Sequence, residues 1–130
     1  MRGIARPSPT PLHELSIAMS ILDVAADEAR RQGGGRVVAL HLRLGPLSGV
    51  VPEALLSAWA VACESSDLAG CRLVIEPVPI TIDCPACHAP RPARSLQDLC
   101  CATCGTPAAR VITGREMEVA ALEMVDEPAG

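Results

Sequence analysis

Four cysteines carry the clearest chemistry in the sequence. Cys84-Pro85-Ala86-Cys87 and Cys101-Ala102-Thr103-Cys104-Gly105 are two C-x-x-C pairs with 13 residues between them. Two residues between cysteines let both sulfurs reach one ion from a tight turn, and Gly105 gives the second turn backbone freedom to fold toward it. Two such turns close a tetrahedral shell of four sulfurs at about 2.3 Å from the metal. Zinc is the expected occupant; iron suits the same shell geometrically, and two redox dithiols are the lesser alternative. A closed all-sulfur shell leaves no position for water, so such a site is structural rather than hydrolytic. Cys100 sits beside Cys101 and competes with it on spacing, but Cys101 matches the first pair better. His88, directly after Cys87, reads as a turn histidine; the sharper alternative is a pH-sensitive neighbour able to replace a thiolate. Cys63 and Cys71 lie on apolar patterns and read as small buried hydrophobes.

A second pair of donors, His13-Glu14, comes just before the first helical pattern, which starts at Leu15. Taken alone it is an ordinary helix start, since a carboxylate in the first turn is favourable to the helix dipole. His41 falls on the polar side of a strand pattern and reads as a surface or groove residue.

The elements that must position these residues are legible around them. Residues 1–11, with Pro7, Pro9 and Pro11 among small polar residues, read as an extended tail. Leu15, Ala18, Leu22, Ala25 and Ala29 repeat at helical spacing up to Arg31, opposite Ser16, Ser20, Asp23, Asp27 and Arg30. Gly33-Gly34-Gly35 stops that helix. Val38, Leu40, Leu42 and Leu44 alternate with Ala39, His41 and Arg43, the pattern of a half-buried strand. Pro52 opens a second helix, with Leu55, Leu56, Trp59, Ala60 and Cys63 as its expected apolar face. Residues 71–82 read as extended, and Pro77 and Pro79 exclude a central place for their second half. Residues 116–125 suit strand or helix equally by period.

Several of these patterns together resemble the HypA/HybF family of hydrogenase nickel-insertion proteins. The resemblance is carried by Leu12-His13-Glu14-Leu15-Ser16-Ile17-Ala18, Gly45-Pro46-Leu47-Ser48-Gly49-Val50, Pro52-Glu53-Ala54-Leu55, the two C-x-x-C pairs and Gly114-Arg115-Glu116-Met117, in that order over about residues 12 to 126. It implies an α+β protein: a small nickel-binding domain of two helices on a three-stranded sheet (residues 12–82 plus 114–126), with a four-cysteine zinc-ribbon-like domain (residues 83–113) inserted before the last strand. Residues 116–125 are then a strand. It implies Ni(II) as cargo at His13 and Glu14, structural Zn(II) at Cys84, Cys87, Cys101 and Cys104, and as partners a HypB-type GTPase and the large subunit of a nickel-iron hydrogenase; some relatives serve urease maturation. Ni(II) accepts square-planar or tetragonal nitrogen and oxygen donors, so an imidazole, a carboxylate and backbone amides form a sensible set. The family motif is Met-His-Glu at the N-terminus, where the terminal amine joins the ligands. Here Leu12 stands in the place of Met, and translation starting at that codon would restore the motif.

Composition narrows the remaining classes. The chain of 130 residues, one domain's length, is 49% hydrophobic, with no Phe, no Tyr and a single Trp, Trp59. Bases have no aromatic platform on which to stack, and a net charge of −4 disfavours non-specific nucleic-acid binding. Seven cysteines cannot all pair as disulfides, and thiolates kept for metal point to the cytosol. No apolar run reaches the roughly 18 residues a membrane span needs, and no secretory signal opens the chain. No Ser/His/Asp set, phosphate loop or open metal site suggests an enzyme. The alternative function is a zinc-ribbon adaptor for protein or nucleic acid, favoured by Arg91, Arg94, Arg110 and Arg115 against Asp98 alone between Cys84 and Arg115. A zinc ion with four thiolates carries −2, which offsets most of that surplus.

Overall fold

The computed structural model describes residues 11–126, the side chains of Pro11 and Leu12 excepted. The expected tail lies outside the described residues up to position 10. The elements run α1 (Pro11–Arg31), β1 (Arg36–Leu44), a 3₁₀ turn at Pro46–Ser48, α2 (Pro52–Glu64), β2 (Arg72–Pro77), β3 (Thr81–Cys84), β4 (Ala89–Pro92), β5 (Arg110–Thr113) and β6 (Met117–Val125). The protein is α+β, as expected, with one sheet in the order β2-β1-β6 and a second in the order β4-β3-β5. Pro77 closes the edge strand β2, where a missing donor costs no ladder bond. The segment read as ambiguous by period is the strand β6.

The chain divides into two compact units. One comprises the described residues up to His41, Val50–Val74 and those from Ala121; the other comprises Leu42–Gly49 and Ile75–Ala120. In the first, α1 and α2 pack together. α1 buries Ala18, Leu22, Ala25 and Ala29 of the stripe read from the sequence, together with Ile21, while Leu15 of that stripe is half-buried. It begins at Pro11, so His13 and Glu14 lie inside its first turn rather than ahead of it. Its end is the triglycine, where the amide of Gly34 bonds the Ala29 carbonyl at 2.9 Å and Gly33 adopts φ 94°. α2 buries Leu55, Ala58, Trp59, Ala62 and Cys63, while Leu56 and Ala60 face outward, so its apolar face is rotated from the expected one. Trp59 fills the core and its indole N–H donates to the Cys71 carbonyl at 2.8 Å. Cys63 and Cys71 are buried, as read, and burial pushes the Cys71 thiol up to about 11, with Cys63 adding to the rise. β1 departs from strict alternation. Burial alternates through Val37 and Ala39, then resumes out of phase at Leu40, Leu42 and Leu44. His41 is half-buried and meets Glu123 at 2.5 Å.

The second unit holds the small sheet. β3 pairs antiparallel with β4 and with β5, bringing Thr81 opposite Thr113. The Thr113 hydroxyl donates to the Pro79 carbonyl at 2.8 Å and accepts the Thr81 amide at 3.2 Å. The two ends of the four-cysteine segment are thereby tied together. Beside them two glycines cross. A Cβ on Gly45 would run into the Gly114 backbone, and the amides of Gly45 and Leu47 bond the carbonyls of Glu116 and Gly114 at 2.8 and 2.7 Å.

Candidate metal centre

Both C-x-x-C pairs fold into the same turn. The amide of His88 bonds the Cys84 carbonyl at 2.9 Å, and the amide of Gly105 bonds the Cys101 carbonyl at 2.8 Å. Each turn requires a left-handed residue after its second cysteine: Gly105 at φ 81° and His88 at φ 54°. Glycine adopts that conformation freely, whereas a histidine there carries backbone strain. His88 is exposed, as expected of a turn histidine.

The two turns bring the four predicted sulfurs within 4.8 Å of one another. Cys84 Sγ lies 3.5 Å from Cys104 Sγ, and Cys87 Sγ 3.7 Å from it. Four sulfurs at the Zn–S distance of about 2.3 Å on tetrahedral corners stand about 3.8 Å apart, whereas a disulfide needs about 2.05 Å. The spacing fits one ion held by four thiolates, and all seven cysteines are free thiols. Cys84 and Cys101 are buried with Ile82 in the small core of this module, with Ile80, Ala93, Ala108 and Val111 packed around them. Cys87 is half-buried and Cys104 exposed, so one edge of the sulfur cluster faces solvent. Cys100 stands apart, its amide bonded to the Asp98 carboxylate at 3.1 Å. The choice of Cys101 over Cys100 as the clustered residue follows the sequence reading.

The polar shell around the sulfurs is uneven. Cys84 Sγ accepts the Cys87 amide at 3.3 Å. Burial pushes the Cys101 thiol up, but backbone donors from Cys104 and Thr103 bring it below the usual thiol range. The hydroxyl and amide of Thr106 pull Cys104 down to about 6, and Thr106 Oγ1 lies 3.2 Å from its sulfur. At Cys87 the Arg91 guanidinium favours the thiolate, yet hydrogen bonds shared with Cys104 and Cys84 outweigh it and hold the thiol up at about 11. Thiols this close share protons, which a divalent cation would displace. Thr106 escaped the sequence reading, and Arg91 entered it only as one of four arginines set against Asp98. Strand pairing places Arg91 opposite Ile82, two residues before Cys84, and only that register reveals it.

His13 and Glu14 lie in a different unit from the four cysteines. His13 is exposed, and Glu14 is fully buried. Both carboxyl oxygens of Glu14 lack a hydrogen-bond partner. Burying a carboxyl without a partner is costly. The sequence showed the residue but not its burial.

An α+β chain with four cysteine sulfurs gathered as a metal ion would need them, in a small antiparallel module, defines a metal-binding class of protein with two units. Residues 12–124 match the family model described as hydrogenase/urease nickel incorporation, metallochaperone, HypA. The chain is 43% identical over 112 residues to a hydrogenase maturation factor HypA of Chloroflexus aurantiacus, covering 86% of this chain and 98% of that one. It is 43% identical over 116 residues to the HypA of Roseiflexus sp., covering 89% and 94% respectively. Its fold is similar to the solution structure of the Ni metallochaperone HypA from Helicobacter pylori, with a TM-score of 0.62 at 21% identity over 88% of this chain and 98% of that one. The chain belongs to the HypA family: it is a metallochaperone of hydrogenase or urease nickel incorporation, a maturation factor rather than an enzyme. Among the described residues no helix is long and apolar enough to cross a membrane.

Proposed function

We propose that the protein binds Ni(II) through His13 and Glu14 and delivers it, in the cytoplasm, to the large subunit of a nickel-iron hydrogenase, with a HypB-type GTPase as its working partner. The observation that carries this reading is the Glu14 carboxyl, fully buried with neither oxygen partnered, one residue from the exposed imidazole of His13. An imidazole nitrogen, a carboxylate oxygen and backbone amide nitrogens are donors that Ni(II) accepts. A site in the first turn of a helix, open on its histidine side, suits a carrier that must also release its cargo. Cys84, Cys87, Cys101 and Cys104 hold a structural Zn(II), which closes their module but stays out of the transfer. The labour then divides between a nickel domain of residues 12–82 with 114–126 and a zinc domain of residues 83–113.

The test is calorimetry of Ni(II) binding at fixed pH with His13→Ala and Glu14→Gln. His13→Ala should abolish tight binding while circular dichroism and bound zinc stay at wild-type levels; Glu14→Gln should weaken binding less. Unchanged nickel affinity in His13→Ala would remove the site from this helix. In cells, His13→Ala should lower hydrogenase activity, with partial recovery in excess nickel by mass action.

A further inference from the structure

Between α1 and α2 runs a groove that neither metal site uses. Its apolar end, a hollow of about 200 Å³, is lined by Leu15, Met19 and Leu22 of α1 and by Val61 and Ala62 of α2. Its other end, about 490 Å³, continues along α1 past Asp23, Asp27 and Arg30 and is walled by Asp67 and Leu68, just after α2. The two hollows share Leu22, Asp23, Ser65 and Ser66, so they form one groove. Met19 and Val61 border the apolar end with 54% and 55% of their surface exposed. Apolar residues scattered singly over a surface are ordinary, whereas two that line one hollow make a contiguous patch. The wall beyond α2 is held in place: the Ser66 hydroxyl donates to the Cys63 carbonyl and accepts the Leu68 amide, both at 3.0 Å, and Leu68 is buried. Charge is unbalanced at the acidic end. Asp27 pairs with Arg30. The carboxylates of Asp23 and Asp67 have no partner among the described residues, whereas Glu28 on the same helix is taken by Arg31 at 2.8 Å and Gln32 at 3.0 Å.

These features choose the occupant. The apolar hollow is smaller than the roughly 300–1,000 Å³ of a small-molecule site, and it suits a single side chain. The carboxylates beyond it call for cations. A second copy of this chain, at a net charge of −4, is repelled by them. Met19, Asp23 and Asp27 stand four residues apart, about 6 Å per step along the helix axis. A second helix laid alongside matches that repeat with its own residues four apart. We propose that the groove is a docking site for a helix of a partner protein, one that presents an apolar side chain with Lys or Arg four and eight residues further on. The apolar side chain enters between Met19 and Val61, where the flexible methionine adapts to its shape. The first cation meets Asp23, and the second lies between Asp27 and Asp67. The groove belongs to the unit that carries His13 and Glu14, and the inference holds whether or not nickel binds there.

The test titrates the full chain with an alanine-rich peptide of about 18 residues, long enough to be helical, carrying one leucine and lysines four and eight residues on. Backbone amide NMR reads the contact. At low salt the shifts should be confined to residues 15–27 and 61–68. Asp23→Lys combined with Asp67→Lys should weaken binding about tenfold, the effect of a few exposed ion pairs, and raised salt should weaken it in the wild-type protein. Met19→Glu should weaken it about tenfold as well, by placing a charge at the apolar end. A peptide with alanine in place of the leucine should bind about tenfold more weakly, and one with glutamates in place of the lysines should not bind. Met19, Asp23 and Asp67 are all exposed, so circular dichroism of the variants should match wild type; if it does not, the altered peptides on the unaltered protein decide. No shift at millimolar peptide, shifts elsewhere on the chain, or wild-type affinity in the aspartate variants would overturn the proposal. Equal binding of the alanine peptide would also overturn it, reducing the groove to an acidic surface that collects cations. So would a wild-type chain that sediments as a dimer and becomes a monomer with Met19→Glu, which would give the groove to a second copy.

Discussion

Around Leu22, Leu40, Leu55 and Trp59 the helical unit buries an aliphatic core supplied by two helices and a strand. In the four-cysteine module the enclosed residues are Ile82, Cys84 and Cys101, and two of those three belong to the sulfur cluster. The first region draws its stability from apolar area removed from water, at roughly 25 cal/mol per Å². The second has too little apolar area for that, and its short strands leave it dependent on the ion. The contrast teaches where each region is vulnerable. Loss of a methylene is felt in the first, loss of a proton-free thiolate in the second.

The largest test of this contrast is Cys84→Ser. It should release the metal and unfold the module, because the free energy of binding a structural zinc, on the order of 10 kcal/mol or more, is also folding free energy. One equivalent of zinc retained with a native circular dichroism spectrum would refute it. A chelator should reproduce the effect in the wild-type protein while the helical signal of α1 and α2 persists. Next in size, Trp59→Ala should cost about 3–5 kcal/mol in a denaturant melt followed by helicity, through the cavity left and the lost bond to Cys71. It should leave zinc content unchanged, and a wild-type melting curve would show that the indole is not part of the core.

Two smaller effects should run in the opposite direction. Glu14→Leu replaces a buried, unpartnered carboxyl with an apolar side chain and should raise stability by about 1–3 kcal/mol, while nickel binding falls. A destabilised Glu14→Leu would mean that the carboxyl is already satisfied. His88→Gly relieves a left-handed histidine and should stabilise the metal-loaded module by about 1 kcal/mol; a loss of stability would show that the imidazole itself is a support. The smallest effect concerns acid. His41 holds the Glu123 carboxyl below its ordinary range. A carboxyl lowered in the folded state lends stability at pH above its unfolded value, and that stability is lost as pH falls through the folded one. Glu123→Gln should therefore flatten the acid limb of the stability curve below about pH 5, and identical acid limbs would remove this pair from the account.

Legibility in the sequence followed the range of the interactions. The four sulfurs were readable because ligand spacing is local: two intervening residues per turn define each half of the site, whatever the rest does. α1 was readable because its buried stripe is a simple period. The face of α2 was read with Leu56 and Ala60 included, because in a helix so rich in apolar residues period alone does not orient it, and the packing against α1 does. β1 was read as one clean alternation, but its burial slips phase between Ala39 and Leu40, a feature of pairing that no single strand encodes. The register of Arg91 opposite Ile82 and the burial of Glu14 were invisible for the same reason. Each depends on residues distant in sequence, one through strand register and the other through tertiary enclosure.

The pairing of Thr81 with Thr113 has a consequence for how this molecule can be altered. A segment whose two ends meet imposes no distance requirement on the chain that flanks it, and closing a longer or shorter loop there costs only a slowly growing entropy. The segment between Thr81 and Thr113 is therefore a cassette with adjacent ends, and the Gly45–Gly114 crossing next to it admits no side chain on Gly45. A foreign module with adjacent termini, such as another four-cysteine ribbon or a short hairpin, is a graft that the paired ends at Thr81 and Thr113 accept. Such an exchange leaves untouched the residues that hold the core of the helical unit, since Thr81 and Thr113 lie outside it.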